Sequence, residues 1–178
     1  GSTACAEAMM MAVAAGKKQN KVLVSEAITT DRYMVLREYA RQHGIEMEMI
    51  PEKDGVTDLS SLKSQLSGGD VAGVVVFQPN AYGIIEDYTG FDDACHEHKA
   101  LFIMDCVAAV LALLKTPGEW GADIAVGDGQ SLGIPMQWGG PYVGYMCCTE
   151  KLIRNMPGRI VGMTKDNRGS SESNDELA

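Results

Sequence analysis

The sequence lacks most of the features that identify membrane, secreted and nucleic-acid-binding proteins. No apolar run approaches the roughly 20 residues that cross a bilayer, and no basic segment followed by an apolar one marks a secretory signal. Basic residues are in the minority, 15 against 24 acidic ones, and the net charge of −9 would repel phosphate backbones. The composition therefore predicts a cytoplasmic protein with neither a membrane nor nucleic acid as its partner.

Cysteine and histidine are scarce, and neither forms a disulfide or metal-binding pattern. The five cysteines are odd in number and contain no C-x-x-C, which is typical of reduced thiols in the cytosol. The run 95–98 (CHEH) looks like a metal site, but histidines two positions apart on a helix do not face each other. We therefore predict no metal site and interpret this run as a solvated helix end.

Common phosphate-binding and nucleophile motifs are missing as well. The sequence has no Walker loop and no G-x-S-x-G elbow. The run 127–133 (GDGQSLG) resembles a dinucleotide-binding loop with one residue too many, and Pro135 follows where a helix should begin. These absences argue against a nucleotide-binding domain and against a serine hydrolase.

The sequence does contain a regular alternation of helical and strand patterns. Helices are predicted over 3–15, 30–43, 58–67, 86–98 and 149–155, and strands over 21–25, 45–50, 71–77, 100–105, 122–126 and 142–148. Strands separated by helices need right-handed crossovers, so we predict an α/β fold: a mostly parallel sheet of six to seven strands with helices on both faces. In this interpretation 1–165 is one domain, a fragment of a longer chain, and 166–178 is a polar tail.

Three positions fall where ligands bind in such a fold, at the carboxyl ends of strands or the start of a helix. Ser2 and Thr3 begin the first helix, whose free N–H groups and dipole favour a phosphate. Asp105 ends one buried strand, and Asn80 follows another. A phosphate site, a strand-end carboxylate and a strand-end amide together suit pyridoxal phosphate, whose protonated ring nitrogen would pair with the carboxylate. The structural alternatives are an ordinary helix cap at Ser2 or Thr3 and a cap of the next segment at Asp105.

Four segments carry a resemblance to a known family. They are 1–12 (GSTACAEAMMMA), 74–87 (VVVFQPNAYGIIED), 118–145 (GEWGADIAVGDGQSLGIPMQWGGPYVGY) and 157–162 (PGRIVG). Together they resemble the glycine decarboxylase component of the glycine cleavage system in its non-catalytic half. That half is subunit 1 of the bacterial-type two-subunit enzyme, or the N-terminal half of the single-chain form.

The resemblance covers 1–165 and implies both a fold and an activity. The fold is the large domain of the fold type I, aspartate-aminotransferase-like enzymes. The activity belongs to a cytoplasmic heterotetramer that decarboxylates glycine with pyridoxal phosphate, which catalytic subunit 2 holds covalently. The aminomethyl group then passes to the lipoyl-carrying H-protein.

The same resemblance implies that this half has no catalytic residue of its own. The catalytic half holds its cofactor on a lysine in a loop before Ile-Pro and a glycine run. Aligned on Ile134 and Pro135, this sequence has Gln130 at that position, and an amide cannot form the imine. A covalent cofactor is therefore not expected here, and Ser2, Thr3, Asn80 and Asp105 become vestigial or serve the partner's site.

The glycine-rich loop supplies the candidate contacts with that partner. These contacts are Gln130, Ser131, Gly139 and Gly140. For the glycines, simple turn geometry is the alternative explanation.

Two functions of different classes remain open from the sequence. The first is an enzyme component, inactive alone, that completes the active site of its partner subunit. The second is a degenerate scaffold that only mediates subunit assembly or docks the lipoyl carrier. The missing lysine disfavours a third reading, an independent aminotransferase.

Overall fold

The chain folds around one six-stranded sheet. A computed structural model describes residues 1–16, 18–165 and 171–176. The helices are α1 (Ser2–Ala15), α2 (Thr30–His43), α3 (Leu59–Leu66) and α4 (Phe91–Glu97). The strands are β1 (Lys21–Ser25), β2 (Glu46–Ile50), β3 (Glu52–Lys53), β4 (Val56–Thr57), β5 (Val71–Gln78), β6 (Leu101–Val107), β7 (Ile124–Asp128), β8 (Gly144–Cys148), β9 (Ile160–Lys165) and β10 (Ser171–Glu176). Short 3₁₀ helices cover Ala108–Ala112, Gln130–Leu132 and Glu150–Asn155.

The sheet has the order β2-β1-β5-β6-β7-β8. All neighbouring strands are parallel except β8, which runs antiparallel to β7. The predicted α/β class, with a mostly parallel sheet of six to seven strands, is confirmed. β5 lies inside the sheet with all eight residues buried, as its continuous apolar run predicts, and the alternating β2 lies at an edge.

Helices cover both faces of the sheet, and successive residues of β5 contribute to the two layers in turn. Val75 and Phe77 pack in the layer that contains α1 and α2. Val74 and Val76 pack in the layer that contains α3 and α4. α1 lies so close to β5 that a Cβ built on Gly73 would be 2.9 Å from the Cβ of Ala12. A side chain at this glycine would push the helix off the sheet.

Residues at the ends of α2 and α3 determine where these helices stop and start. Gly44 follows α2 in the left-handed conformation, with φ at 66°, which a glycine adopts without steric cost. The Asp58 side chain caps α3 by accepting hydrogen bonds from the backbone N–H groups of Ser60 and Ser61. Those bonds and the two serine hydroxyls lower the pKa of Asp58 to about 2.

Two helix starts differ from the prediction. α1 begins at Ser2 with Gly1 as its N-cap and no side-chain cap bond, so Ser2 and Thr3 are helical residues and do not cap the helix. α4 begins at Phe91, five residues after the predicted start at 86. Glu86 is buried and bonded to β4 and to Asn80, so tertiary contacts override the helical pattern of this segment.

Elements outside the main sheet are small. β3 and β4 form a two-stranded antiparallel hairpin, and β9 pairs with β10 in a separate antiparallel pair. Residues 166–170 and 177–178 of the predicted tail lie outside the described residues, and the division at 165 stays a prediction. Within the part of the chain that the structure describes, no helix has the length and apolar character to cross a bilayer.

Candidate functional site

A cavity of about 380 Å³ opens at the carboxyl edge of the parallel strands, near the start of α1. It is lined by Gly1, Ser2, Thr3, Asp31, Arg32, Asp128 and Tyr142. Three elements converge there: the first turns of α1 and α2 and the end of β7. The end of a parallel strand and the start of the helix that follows such a strand lie at this edge of the sheet. This is the place where the α/β pattern predicts a ligand.

Ser2 and Thr3 line the cavity, as the sequence predicts. The first hydrogen bond within α1 runs from the Cys5 N–H to the Gly1 carbonyl, so the earlier N–H groups of the helix have no partner within it. These N–H groups and the helix dipole place partial positive charge at the cavity. Their role in binding a phosphate stays a prediction.

Asp105 lies beneath the cavity, near the end of β6, with only 2% of its surface exposed. Its register partners are Phe77 on β5 and Val126 on β7. Burial raises the pKa of Asp105 to about 6, although the Arg32 guanidinium and the Cys5 thiol both lower it. The same site raises the pKa of Cys5, chiefly through burial and secondly through the Asp105 charge. A carboxyl group in this position needs a cation beside it.

Arg32, which the sequence pattern does not single out, supplies that cation. Its Nη1 lies 3.3 Å from Oδ2 of Asp105, and its guanidinium carbon lies 5.7 Å from the centre of the Phe77 ring. Among the described residues, no hydrogen-bond donor is aligned on that oxygen, so the contact is an ion pair without good hydrogen-bond geometry. The available signal is a cation in the first turn of α2, where the helix dipole disfavours positive charge.

Gln130 lies beside the cavity but does not line it. Its backbone N–H donates to Oδ1 of Asp128 at 2.7 Å. Its side-chain nitrogen is buried and has no hydrogen-bond partner among the described residues. A Cβ on Gly140 would be 3.4 Å from that nitrogen, so the structure brings these two predicted residues together. That Gln130 occupies the lysine position stays a prediction.

Ser131 and Gly139 lie in the same loop, exposed to solvent and away from the cavity lining. Gly139 and Gly140 both have positive φ, 86° and 70°, which fits the turn-geometry alternative. Large apolar side chains in and beside this loop are exposed as well. They are Leu113, Leu132, Met136, Trp138 and Tyr142. The glycine-rich loop therefore also exposes an apolar surface.

Asn80 does not join the cavity. Its amide nitrogen donates to the Gly55 carbonyl and to Oε1 of Glu86, both at 2.8 Å. Its amide oxygen accepts from the backbone N–H groups of Tyr82 and Ile84. The hydrogen bonds of this side chain hold the loop after β5 and leave none for a ligand.

The residues around the cavity do not fit a covalently held pyridoxal phosphate. No lysine is among the described residues that line it. The carboxylate that would pair with the ring nitrogen is already paired with Arg32. Two carboxylates, Asp31 and Asp128, also line the space where a phosphate would have to bind.

Comparison with known proteins places this architecture in a family. The family model described as glycine cleavage system P-protein matches residues 1–174. A "probable glycine dehydrogenase (decarboxylating) subunit 1" of Moorella thermoacetica is 48% identical over 166 residues, which cover 93% of this chain and 37% of the relative. A protein of the same name in Listeria monocytogenes is 46% identical over 169 residues, covering 95% and 37%. The chain thus spans little more than a third of the curated relatives it matches.

Solved structures agree on the fold. A crystal structure of glycine decarboxylase (P-protein) of the glycine cleavage system, in inhibitor-bound form, matches with a TM-score of 0.91 and 38% identity, covering 99% of this chain and 39% of that one. Ureidoglycine-glyoxylate aminotransferase from Bacillus subtilis matches with a TM-score of 0.61 and 22% identity over 85% of this chain and 38% of that one, which shows the fold alone. The predicted fold type I, aminotransferase-like large domain is confirmed, and the chain belongs to the glycine cleavage system P-protein family.

Proposed function

We propose that this chain is part of a non-catalytic subunit 1 of glycine dehydrogenase (decarboxylating), which completes the active site of its partner, catalytic subunit 2. One observation carries the proposal: the cavity lies at the start of α1 with the buried carboxylate of Asp105 behind Arg32, but no lysine is among its described lining residues. The names of the relatives support it, since they are called subunit 1. The assembled enzyme is a heterotetramer in the cytoplasm.

The chemistry of that enzyme resides on the partner. Pyridoxal phosphate, held covalently by the catalytic subunit, supplies the electron sink that lets glycine lose its carboxylate. The lipoyl-carrying H-protein receives the aminomethyl group. This chain's own residues bind and orient: the apolar loop around Trp138 contacts the partner, and Gln130 and Gly140 shape the edge that faces it.

The physical case for that contact is the exposure of large apolar side chains. Trp138 is 97% exposed and Met136 is 89% exposed. Exposed apolar patches on a soluble domain mark interaction surfaces, and tryptophan is enriched among the residues that dominate interface energies. Gly139 and Gly140 adopt positive φ values, and the resulting turn exposes this apolar surface.

The test is reconstitution of glycine–bicarbonate exchange with full-length proteins. We expect no exchange from the full-length chain alone, none or little from the catalytic subunit alone, and full exchange from the mixture. A catalytic subunit that is fully active without this chain would overturn the proposal. The 178 residues on their own are expected to be inactive.

The scaffold alternative is supported by the same apolar loop, because docking needs no cavity. The two functions differ in what the cavity does for the reaction. Substitution of Thr3 by Val, which keeps the shape and removes the hydroxyl, lowers the exchange rate of the assembled enzyme if the cavity contributes to the site. Under the scaffold function this variant leaves the rate of the assembled enzyme unchanged.

A further inference from the structure

The ion pair between Arg32 and Asp105 has a consequence for what the cavity can bind. We propose that Arg32 stands in for the ring nitrogen of a bound pyridine and so closes this half of the enzyme to pyridoxal phosphate and to related pyridines. Arg32 is thus a specificity-determining residue of this chain. The inference concerns this chain's own residues and holds whether or not the subunit assembly proposed above is correct.

Arg32 lies between the cavity and the carboxylate of Asp105. Arg32 lines the cavity, whereas Asp105 is not among the lining residues and is 2% exposed. The guanidinium lies 3.3 Å from the carboxylate. A ligand in the cavity therefore meets the arginine before it can meet the carboxylate.

Contacts with Asp105 and Phe77 hold the side chain of Arg32 in place. It is the third residue of α2, and its side chain is 24% exposed. Its guanidinium carbon lies 5.7 Å from the centre of the Phe77 ring, within reach of a cation–π contact. Phe77 is the register partner of Asp105 on the neighbouring strand, so one pair of adjacent strands provides both contacts of the guanidinium. This arrangement orders the arginine in the position that covers the carboxylate.

A pyridinium ligand would have to compete with Arg32 for the carboxylate of Asp105. A pyridinium ligand gains from Asp105 the same kind of charge pairing that Arg32 already has, so displacement yields no new ion pair. Displacement would also leave a partly buried guanidinium without its counter-ion, which is strongly unfavourable. Loss of a lysine alone would only remove the covalent bond to a cofactor. The ion pair removes the noncovalent recognition as well.

The experiment measures binding of pyridoxamine to the full-length chain by equilibrium dialysis at pH 7.5. Pyridoxamine carries the pyridine ring but needs no lysine and has no phosphate to be repelled by Asp31 and Asp128. We expect negligible binding to the unmodified chain and at least about tenfold tighter binding to Arg32→Ala, the size expected for one charged hydrogen bond. Arg32→Lys keeps a cation and should not gain.

A matched pair of double variants separates Asp105 from general charge. Arg32→Ala/Asp105→Asn and Arg32→Ala/Asp128→Asn have the same net charge. The first should lose the gain in pyridoxamine binding, and the second should keep it. If both keep the gain, the carboxylate of Asp105 is not the recognising group and the proposal fails.

Two further results would overturn the proposal. The unmodified chain binding pyridoxamine or pyridoxal phosphate as tightly as Arg32→Ala would show that Arg32 closes nothing. A folded Arg32→Ala chain that binds no pyridoxamine would show that no usable pocket lies behind the arginine. Thermal unfolding checks the fold of each variant, and Arg32→Gln, which removes the charge but keeps a donor, replaces Arg32→Ala if that chain does not fold.

Discussion

Two regions at the same edge of the sheet differ in whether their side chains are buried or exposed to solvent. Beneath the cavity, Asp105 is buried and its charge is paired inside the chain by Arg32. In the loop that contains Met136 and Trp138, large apolar side chains are exposed to solvent. The first region holds a charged group in an internal ion pair, and the second leaves apolar side chains open to solvent. Under the proposed function, this apolar surface contacts the partner subunit.

The largest effect should come from breaking the internal pair. Arg32→Ala leaves Asp105 buried without a counter-ion, so we expect the free energy of unfolding of the full-length chain to fall by about 3–5 kcal/mol at pH 8. Urea unfolding measures it. Arg37→Ala, on the exposed part of the same helix, should cost under about 0.5 kcal/mol. Equal losses of unfolding free energy for the two variants would mean that the ion pair between Arg32 and Asp105 does not stabilise the chain.

The pH dependence of stability tests the same carboxylate. Burial raises the pKa of folded Asp105 to about 6 from the ordinary value of 3.8, so the folded state holds this proton more tightly than the unfolded state. The contribution of Asp105 is therefore most favourable below pH 4 and is lost as the pH rises from about 4 to about 6, by about 3 kcal/mol in total.

The measurement is the difference in unfolding free energy between the unmodified chain and Asp105→Asn at several pH values. That difference should decrease across pH 4 to 6 and stay level above pH 7. A difference that increases with pH would mean that ion pairing outweighs burial and that the pKa of Asp105 is lowered.

A medium effect is expected at Asn80, which the sequence assigned to the cofactor. Asn80→Ala removes the donor to the buried Glu86 and the acceptor for two backbone N–H groups, so we expect a loss of about 2 kcal/mol in unfolding free energy. Asn20→Ala, which removes one exposed hydrogen bond to the Gly44 carbonyl, is the control and should cost about 0.5 kcal/mol. Similar small losses for both would leave Asn80 free for another role.

The smallest effect on stability should come from the exposed loop. Trp138→Ser removes a side chain with few contacts in this chain, so the unfolding free energy should change by under about 0.5 kcal/mol. Binding to the catalytic subunit, measured by calorimetry, should weaken by about tenfold or more, because tryptophan is a frequent interface anchor. Trp138→Phe keeps an aromatic ring and should retain most of the affinity. Unchanged binding by Trp138→Ser would remove this loop from the interface.

The sequence predicted elements well where the local signal and the tertiary contacts agree. β1 and the end of α2 at Gly44 are confirmed to the residue, because an apolar run and a helix-ending glycine specify them locally. α4 is shorter than predicted because Glu86 is drawn into hydrogen bonds with β4 and Asn80. The partner on β4, Thr57, lies 29 positions before Glu86, and the periodicity of the segment does not indicate this contact.

The sequence by itself determined the order of strands and helices, the sheet class and the family resemblance, since these depend on patterns along the chain. It also placed Ser2, Thr3 and Asp105 at one edge, because parallel strands end together. Only the tertiary structure decided which groups meet there. Arg32 comes 73 positions before Asp105, and only the fold brings the first turn of α2 close enough to β6 for the two to form an ion pair. Asn80 faces inward because Gly55 and three residues of its own loop satisfy every hydrogen bond that its amide can make.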